Sequence, residues 1–339
     1  MTNSDKAIRL HTELTIIDCL GVNNWNAPEV FPGIHRGGVT ATNATVAIWE
    51  NFTETIENIT RWYSRFDKYA DIITPIKTAA DISRAKTAGK SGIIFGFQNA
   101  SPIEDDLRRL RVFQELGVRI IQITYNNSNL LGAGFADSPD YGLTTFGERF
   151  IEECNRLGIL IDLSHVGDRT VMDAIEASEK PVAFTHVGPR ALFKHYRNKT
   201  DEQLKALAAK GGVVGANAYA NFIAAWKNST LSDYLDTIDY LVNLIGIDHV
   251  GIASDFTTGQ CAQWLRWLFT GRNTDAKVEY SKEFRTEDNI VAAYYPRGFQ
   301  TAADFPNLTR VLLERGYSED AMKKIMGENF LRLFEKVWD

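Results

Sequence analysis

Cysteine is scarce in this 339-residue chain. Cys19, Cys154 and Cys261 are odd in number, widely spaced and form no Cys-x-x-Cys pair. A disulfide framework and a cysteine-held metal site are therefore excluded. Basic clusters are missing as well. The 37 lysines and arginines are scattered among 43 acids, and the formal net charge is −6. No nucleic-acid footprint is present. No apolar run is long enough to span a bilayer. The first residues lack the basic start and continuous apolar stretch of a secretion signal, so a cytoplasmic protein with no membrane partner is expected. No Gly-x-Gly-x-x-Gly follows any apolar run, which leaves a dinucleotide site without support. No internal repeat is visible either.

What is present is alternation. Eight short apolar runs, at residues 14–19, 41–49, 92–97, 118–125, 159–165, 181–185, 212–218 and 250–254, are separated by helix-like segments. Near-continuous valine and isoleucine predicts strands buried on both faces, as in parallel sheets. Eight such strands alternating with helices predict a single (β/α)8 TIM barrel over residues 1–339, rather than an open doubly wound sheet. Ser101-Pro-Ile-Glu104, Thr145-Phe-Gly-Glu148 and Thr200-Asp-Glu-Gln203 read as helix starts. Phe146, Phe150, Cys154 and Leu157 form one apolar stripe, which makes Cys154 a core residue. Segment 257–297 follows the last strand and is aromatic, with Trp264, Trp267, Tyr280, Phe284, Tyr294 and Tyr295. It reads either as a packed subdomain or as a lid over the pocket. Residues 305–339 read as a C-terminal helical extension, two helices parted at Arg315-Gly-Tyr-Ser318.

Three runs end in groups that carry chemistry elsewhere. Ile159-Leu-Ile-Asp-Leu-Ser-His165 and Pro181-Val-Ala-Phe-Thr-His186 each end in an imidazole. His249-Val-Gly-Ile-Ala-Ser-Asp255 ends in a carboxylate. Barrel enzymes carry their chemistry at the carboxyl ends of the strands. A lone strand-end histidine is commonly a hydrogen-bonded structural group. Two on adjacent strands at one level point to a shared divalent metal. Two ligands fall short of the three plus water that catalytic zinc commonly has. Asp255 reads as a third ligand, as a base beside a metal-bound water, or as a cap of the following helix. Arg197, in His195-Tyr-Arg-Asn198, suits bidentate capture of a carboxylate. Its plainer reading is a surface arginine near a helix start.

These runs resemble the membrane (renal) dipeptidase family of zinc peptidases, peptidase family M19. The likeness rests on Asp-Leu-Ser-His165, on Thr-His186 with Arg197-Asn198 downstream, and on Val-Gly-Ile-Ala-Ser-Asp255-Phe. Gly37-Gly38-Val39, Glu115-Leu-Gly-Val-Arg119, Phe305-Pro-Asn-Leu-Thr and Ile325-Met-Gly-Glu-Asn329 extend it along nearly the whole chain. The resemblance implies a metal-dependent barrel with two zinc ions at its mouth. It implies His165 and His186 as ligands of one metal, Asp255 as base for the attacking water and Arg197 as binder of a substrate carboxylate. It also implies a homodimer.

The chain departs from the family pattern at the other metal. The family's Asp-Gly-His-x-Asp stands here as Asp18-Cys-Leu20-Gly-Val22, its bridging glutamate as Gln98 and its strand-four histidine as Tyr125. Two formal negative charges are lost from that half of the site, and two-metal clamping of a hydroxide is not expected. The expectation is at most one divalent ion, zinc, on His165 and His186. The expected reaction is hydrolysis of an amide-type C–N bond in a small carboxylate-bearing molecule. Asp255 would deprotonate water, and Tyr125 or Gln98 would hydrogen-bond the oxyanion. Tyr125 would also contact substrate beside Arg197. Two alternatives stay open: a lyase or isomerase using the same groups, and a small-molecule binding protein without chemistry.

Overall fold

A computed structural model describes residues 3–271 and 294–338. The sheet holds nine parallel strands: β1 (Ile17–Gly21), β2 (Ala41–Ala47), β3 (Ile73–Ile76), β4 (Ser91–Phe97), β5 (Val118–Gln122), β6 (Leu160–Asp162), β7 (Ala183–Val187), β8 (Val213–Asn217) and β9 (Val250–Ala253). Eight of them close into a ring. β1 pairs with β2 on one side and with β9 on the other, and β2 pairs with β4. Closure leaves no open sheet edge in the ring. The strands are buried on both faces, as in every residue of β4 and β7. This is the (β/α)8 barrel that the alternation predicts.

β3 is a ninth strand, outside that prediction. It lies beside the first half of β4, whose second half pairs with β5. Pro75 sits in β3, and proline belongs on such a short, one-sided strand.

Helix starts follow local chemistry. Asn51 and Glu54 form a capping box for Phe52–Lys68, and Thr200 and Gln203 form one for Asp201–Ala209. Thr144 caps Thr145–Leu157, which ends at Gly158 with φ 66. The reading of Ser101 as a cap is corrected. Its hydroxyl donates to the carbonyls of Ile48 and Glu50 instead. Ser101–Ile103 is a single 3-10 turn, and the helix begins at Arg108.

The C-terminal extension has a structural task. The second expected helix runs as Glu319–Lys323, a π-helical turn at Lys324–Glu328, and Asn329–Trp338. Gly327 sits against the Thr15 carbonyl, where a Cβ would stand 2.2 Å from the oxygen. Phe330, Leu333, Phe334 and Val337 then pack on Ile17, Ala41, Ile120, Leu160, Ala183 and Val213. Those residues come from the early part of six strands, so this helix closes the amino-terminal end of the barrel. The other end is left for chemistry. After β9, Ala262–Thr270 forms a helix. The rest of the expected lid, with Tyr280 and Phe284, falls on residues 272–293, outside the described residues.

Candidate active site

His165 follows β6 and His186 lies within β7, and these strands are neighbours. Two imidazoles therefore meet at the carboxyl-terminal end of the barrel, with their Nε2 atoms 3.0 Å apart. The other ring nitrogens set the tautomers. His165 Nδ1 donates to Asn126 Oδ1 at 2.9 Å. Thr185 Oγ1 gives its proton to Asp162 Oδ2 at 2.6 Å. The same oxygen therefore accepts from His186 Nδ1 at 2.7 Å. Each neutral ring is left with its Nε2 lone pair turned toward the other.

Two lone pairs at that distance repel unless a proton or a metal ion lies between them. A shared proton is disfavoured. Burial pushes both imidazoles well below their usual pKa, and the charges of Arg197 and Lys199 push the same way. A divalent ion about 2.0–2.1 Å from each nitrogen fits the spacing. The pair thus suits a metal in chemistry and in tautomer, but supplies two ligands. Among the described residues, no three His, Cys, Asp or Glu side chains are arranged to hold a metal ion. Asp255 therefore does not complete the pair as a third ligand.

Asp162 organises the two strand ends. It accepts the backbone N–H and the hydroxyl of both Ser164 and Thr185. Burial raises its pKa, and those four hydrogen bonds oppose the rise. The same device recurs across the barrel. Asp18 in β1 accepts Ser254 N at 2.7 Å and Ser254 Oγ at 2.6 Å. Burial pushes Asp18 up to about 7.

Arg197 and Lys199 are buried cations that staple the histidine segments. Arg197 Nη1 donates to the Ser164 carbonyl at 2.7 Å and Nη2 to the His186 carbonyl at 2.8 Å. Lys199 Nζ donates to the Val166 carbonyl at 2.6 Å. Arg197 is 1% exposed, so it is no surface arginine. Its terminal nitrogens are engaged by main chain, not held open as a fork, while Nε has no partner among the described residues. Burial lowers its pKa to about 10, with Asp255 and Asp162 opposing.

Asp255 stands just past β9 with φ 55, a left-handed backbone unusual for a residue with a side chain. Both flanking groups hold it there: its N–H donates to the Leu20 carbonyl at 2.9 Å, and the Tyr295 hydroxyl donates to its carbonyl at 2.7 Å. Asn217 Nδ2 donates to its carboxylate at 3.1 Å. Burial pushes Asp255 up to about 7, against the pull of Arg197. That value suits a group that exchanges protons near neutrality.

The resemblance sets Leu20, Val22 and Gln98 at the other metal. Leu20 and Val22 pack with Ile48, Tyr125, Ala253, Leu265 and Leu268 in one buried apolar cluster. The Ala262–Thr270 helix supplies both leucines. Gln98 donates from Nε2 to Thr45 Oγ1 at 2.9 Å and makes no hydrogen bond to the histidine pair. Tyr125 stacks on His165, rings 4.1 Å apart, and meets Trp49 edge-on. These residues do not fit a second metal ion: aliphatic groups and an engaged amide offer it neither ligands nor charge.

Sequence reasoning passed over Asn126, Asp162, Ser164, Thr185, Asn217 and Lys199. A signal existed for two of them. Asp162 and Ser164 interrupt an otherwise apolar strand, and a buried carboxylate there requires partners.

The model of the membrane dipeptidase family, peptidase family M19, matches residues 20–265 and 290–339. An uncharacterized dipeptidase of Schizosaccharomyces pombe is 30% identical over 84% of this chain and 62% of its own length. This chain spans 60–62% of the length of two curated dipeptidases it matches. A solved amidohydrolase from Pseudomonas aeruginosa is 40% identical at a TM-score of 0.91, over 98% of this chain and 99% of that one. A metallopeptidase from Rhodobacter sphaeroides, liganded with a phosphinate mimic of the dipeptide L-Ala-D-Ala, has the same fold. Its TM-score is 0.79 at 22% identity, over 96% of this chain and 99% of that one.

Proposed function

The chain belongs to the membrane dipeptidase family, peptidase family M19, and we propose that it is a metal-assisted hydrolase. It cleaves an amide-type C–N bond in a small carboxylate-bearing molecule, using one divalent ion, zinc, on His165 and His186. The observation that carries this reading is the facing pair of Nε2 lone pairs 3.0 Å apart. The dipeptidase names of the curated relatives support the bond type.

A bound ion would supply Lewis-acid polarisation of water or of the scissile carbonyl. The chain's own residues do the rest. Asn126 and the Thr185–Asp162 relay hold each ring in its ligating tautomer. Asp255 takes a proton from water, its carboxylate oriented by Asn217. Arg197 offers its unpartnered Nε–H to the substrate carboxylate. The apolar cluster around Leu20 and Tyr125 keeps water from one side of the histidines. Arg197 and Lys199 repel a divalent ion, so the ion is held less tightly than in a site without buried cations.

One observation favours a second reading. The apolar filling at Leu20 and Val22 suits a small-molecule binder that has given up hydrolysis. A zinc-supplemented activity screen over dipeptides, N-acyl amino acids and small lactams separates the two. Hydrolysis of one class, abolished in His186→Ala, supports the enzyme. No turnover in any class, with no zinc retained, supports the binder.

A further inference from the structure

A cavity of about 400 Å³ opens at the carboxyl-terminal end of the barrel, between the loops after β1, β2 and β9. None of His165, His186, Tyr125, Gln98, Arg197 or Asp255 lines it. Val22 and Ile48 line it and also belong to the apolar cluster whose Tyr125 stacks on His165. That cluster stands between the cavity and the histidine pair.

The cavity is lined by Arg65, which makes no ion pair among the described residues. Arg65 lies over the Trp62 ring at 5.0 Å, and its Nη2 donates to Asn26 Oδ1 at 2.9 Å. Its Nε is buried and has no hydrogen-bond partner among the described residues. Burial lowers its pKa, Arg61 pushes the same way, and Tyr69 opposes them. Glu50 also lines the cavity, but its carboxylate is engaged. It accepts from the backbone N–H groups of Ile48 and Trp49 and from Asn58 Nδ2. Trp25 and Trp264 give the cavity flat apolar walls.

A half-buried guanidinium without an acid is costly, and a carboxylate relieves that cost with charge-assisted hydrogen bonds. Indole faces add apolar contact and stacking for a planar group. We propose that this cavity is a separate binding site for a small aryl or acylamino carboxylate, its anionic end at Arg65 and its flat body between Trp25 and Trp264. The site is additional to the proposed reaction and does not depend on the histidine pair.

Calorimetric titration with indole-3-acetate, an aryl carboxylate with no amide bond to hydrolyse, tests it, using the full chain as purified. The expected result is one-to-one binding to wild type. Arg65→Gln and Trp264→Ala, which alter two different helices of the lining, each weaken it at least tenfold. Arg197→Gln changes it less than twofold. Circular dichroism confirms that each variant is folded. Absence of binding to wild type overturns the site. So does a loss in Arg197→Gln matching that in Arg65→Gln, which would place the probe at the histidine site and leave the proposed reaction standing.

Discussion

His165 and His186 turn unprotonated Nε2 atoms toward each other at 3.0 Å, while their Nδ1 protons are held by Asn126 and Thr185. The arrangement follows from the barrel. β6 and β7 are adjacent, and Asp162 ties the end of one to the start of the other through Ser164 and Thr185. The ring orientation is thus a property of the strands and not of a bound ion.

Removing the Thr185 hydroxyl should show this. Thr185→Val keeps the shape but leaves His186 Nδ1 without its acceptor, so the ring is free to change tautomer. Partners of that kind typically alter metal affinity by about ten- to a hundredfold. Zinc affinity measured by chelator competition should fall within that range. An affinity equal to wild type would show that Thr185 does not set the ring.

Arg197→Lys should destabilise the fold before any substrate is considered. A single ammonium cannot reach both the Ser164 and the His186 carbonyls that the guanidinium bridges. One buried carbonyl is left unsatisfied, at a cost on the order of 1–3 kcal/mol. Urea unfolding of the zinc-free protein measures it. Unchanged stability would return Arg197 to a purely ligand-binding role.

Much of this was legible in the chain, for physical reasons that differ by element. The barrel shows because strands buried on both faces must be apolar along their length, as in Val213–Ala216 and Val250–Ala253. His165, His186 and Asp255 show because each ends such a run. β3 does not, because it is only four residues long and Pro75 breaks its apolar run. The Ser101 cap fails because its hydroxyl finds the carbonyls of Ile48 and Glu50, a tertiary contact that spacing cannot reveal. Leu20, Val22 and Gln98 read as departures from the resembled family's ligands. The packing around Leu20 and Val22 was not legible, because Leu265 and Leu268 come from a helix after the last strand.

The packing at that position is testable by itself. Leu265 is 5% exposed and belongs to the cluster with Leu20 and Val22. Leu265→Ala should cost about 2–5 kcal/mol, the range for a buried leucine truncated in place. Denaturant unfolding with unchanged slope is the measurement. A loss under about 0.5 kcal/mol, the level of a surface change, would mean the Ala262–Thr270 helix does not seal the cluster.

Stability should fall as pH rises from acid toward neutrality at Asp18. Its folded pKa is about 7, against about 3.9 in an unfolded chain. Between those values the native state keeps a proton that the unfolded state has lost. The contribution is therefore full below about pH 4, declines through the window and is gone above about pH 7. Its upper bound is about 4 kcal/mol, at 1.36 kcal/mol for each pKa unit. Asp255 titrates in the same direction, so the difference between wild type and Asp18→Asn isolates Asp18. A difference that is flat with pH would contradict the buried, proton-holding carboxylate.

The most direct measurement is the number of zinc ions held by the chain after saturation and removal of excess metal, by elemental analysis. The account predicts one per chain in wild type and none in His165→Ala or His186→Ala, because Leu20, Val22 and Gln98 offer no second site. Two ions per chain, or one that survives loss of either histidine, would contradict it.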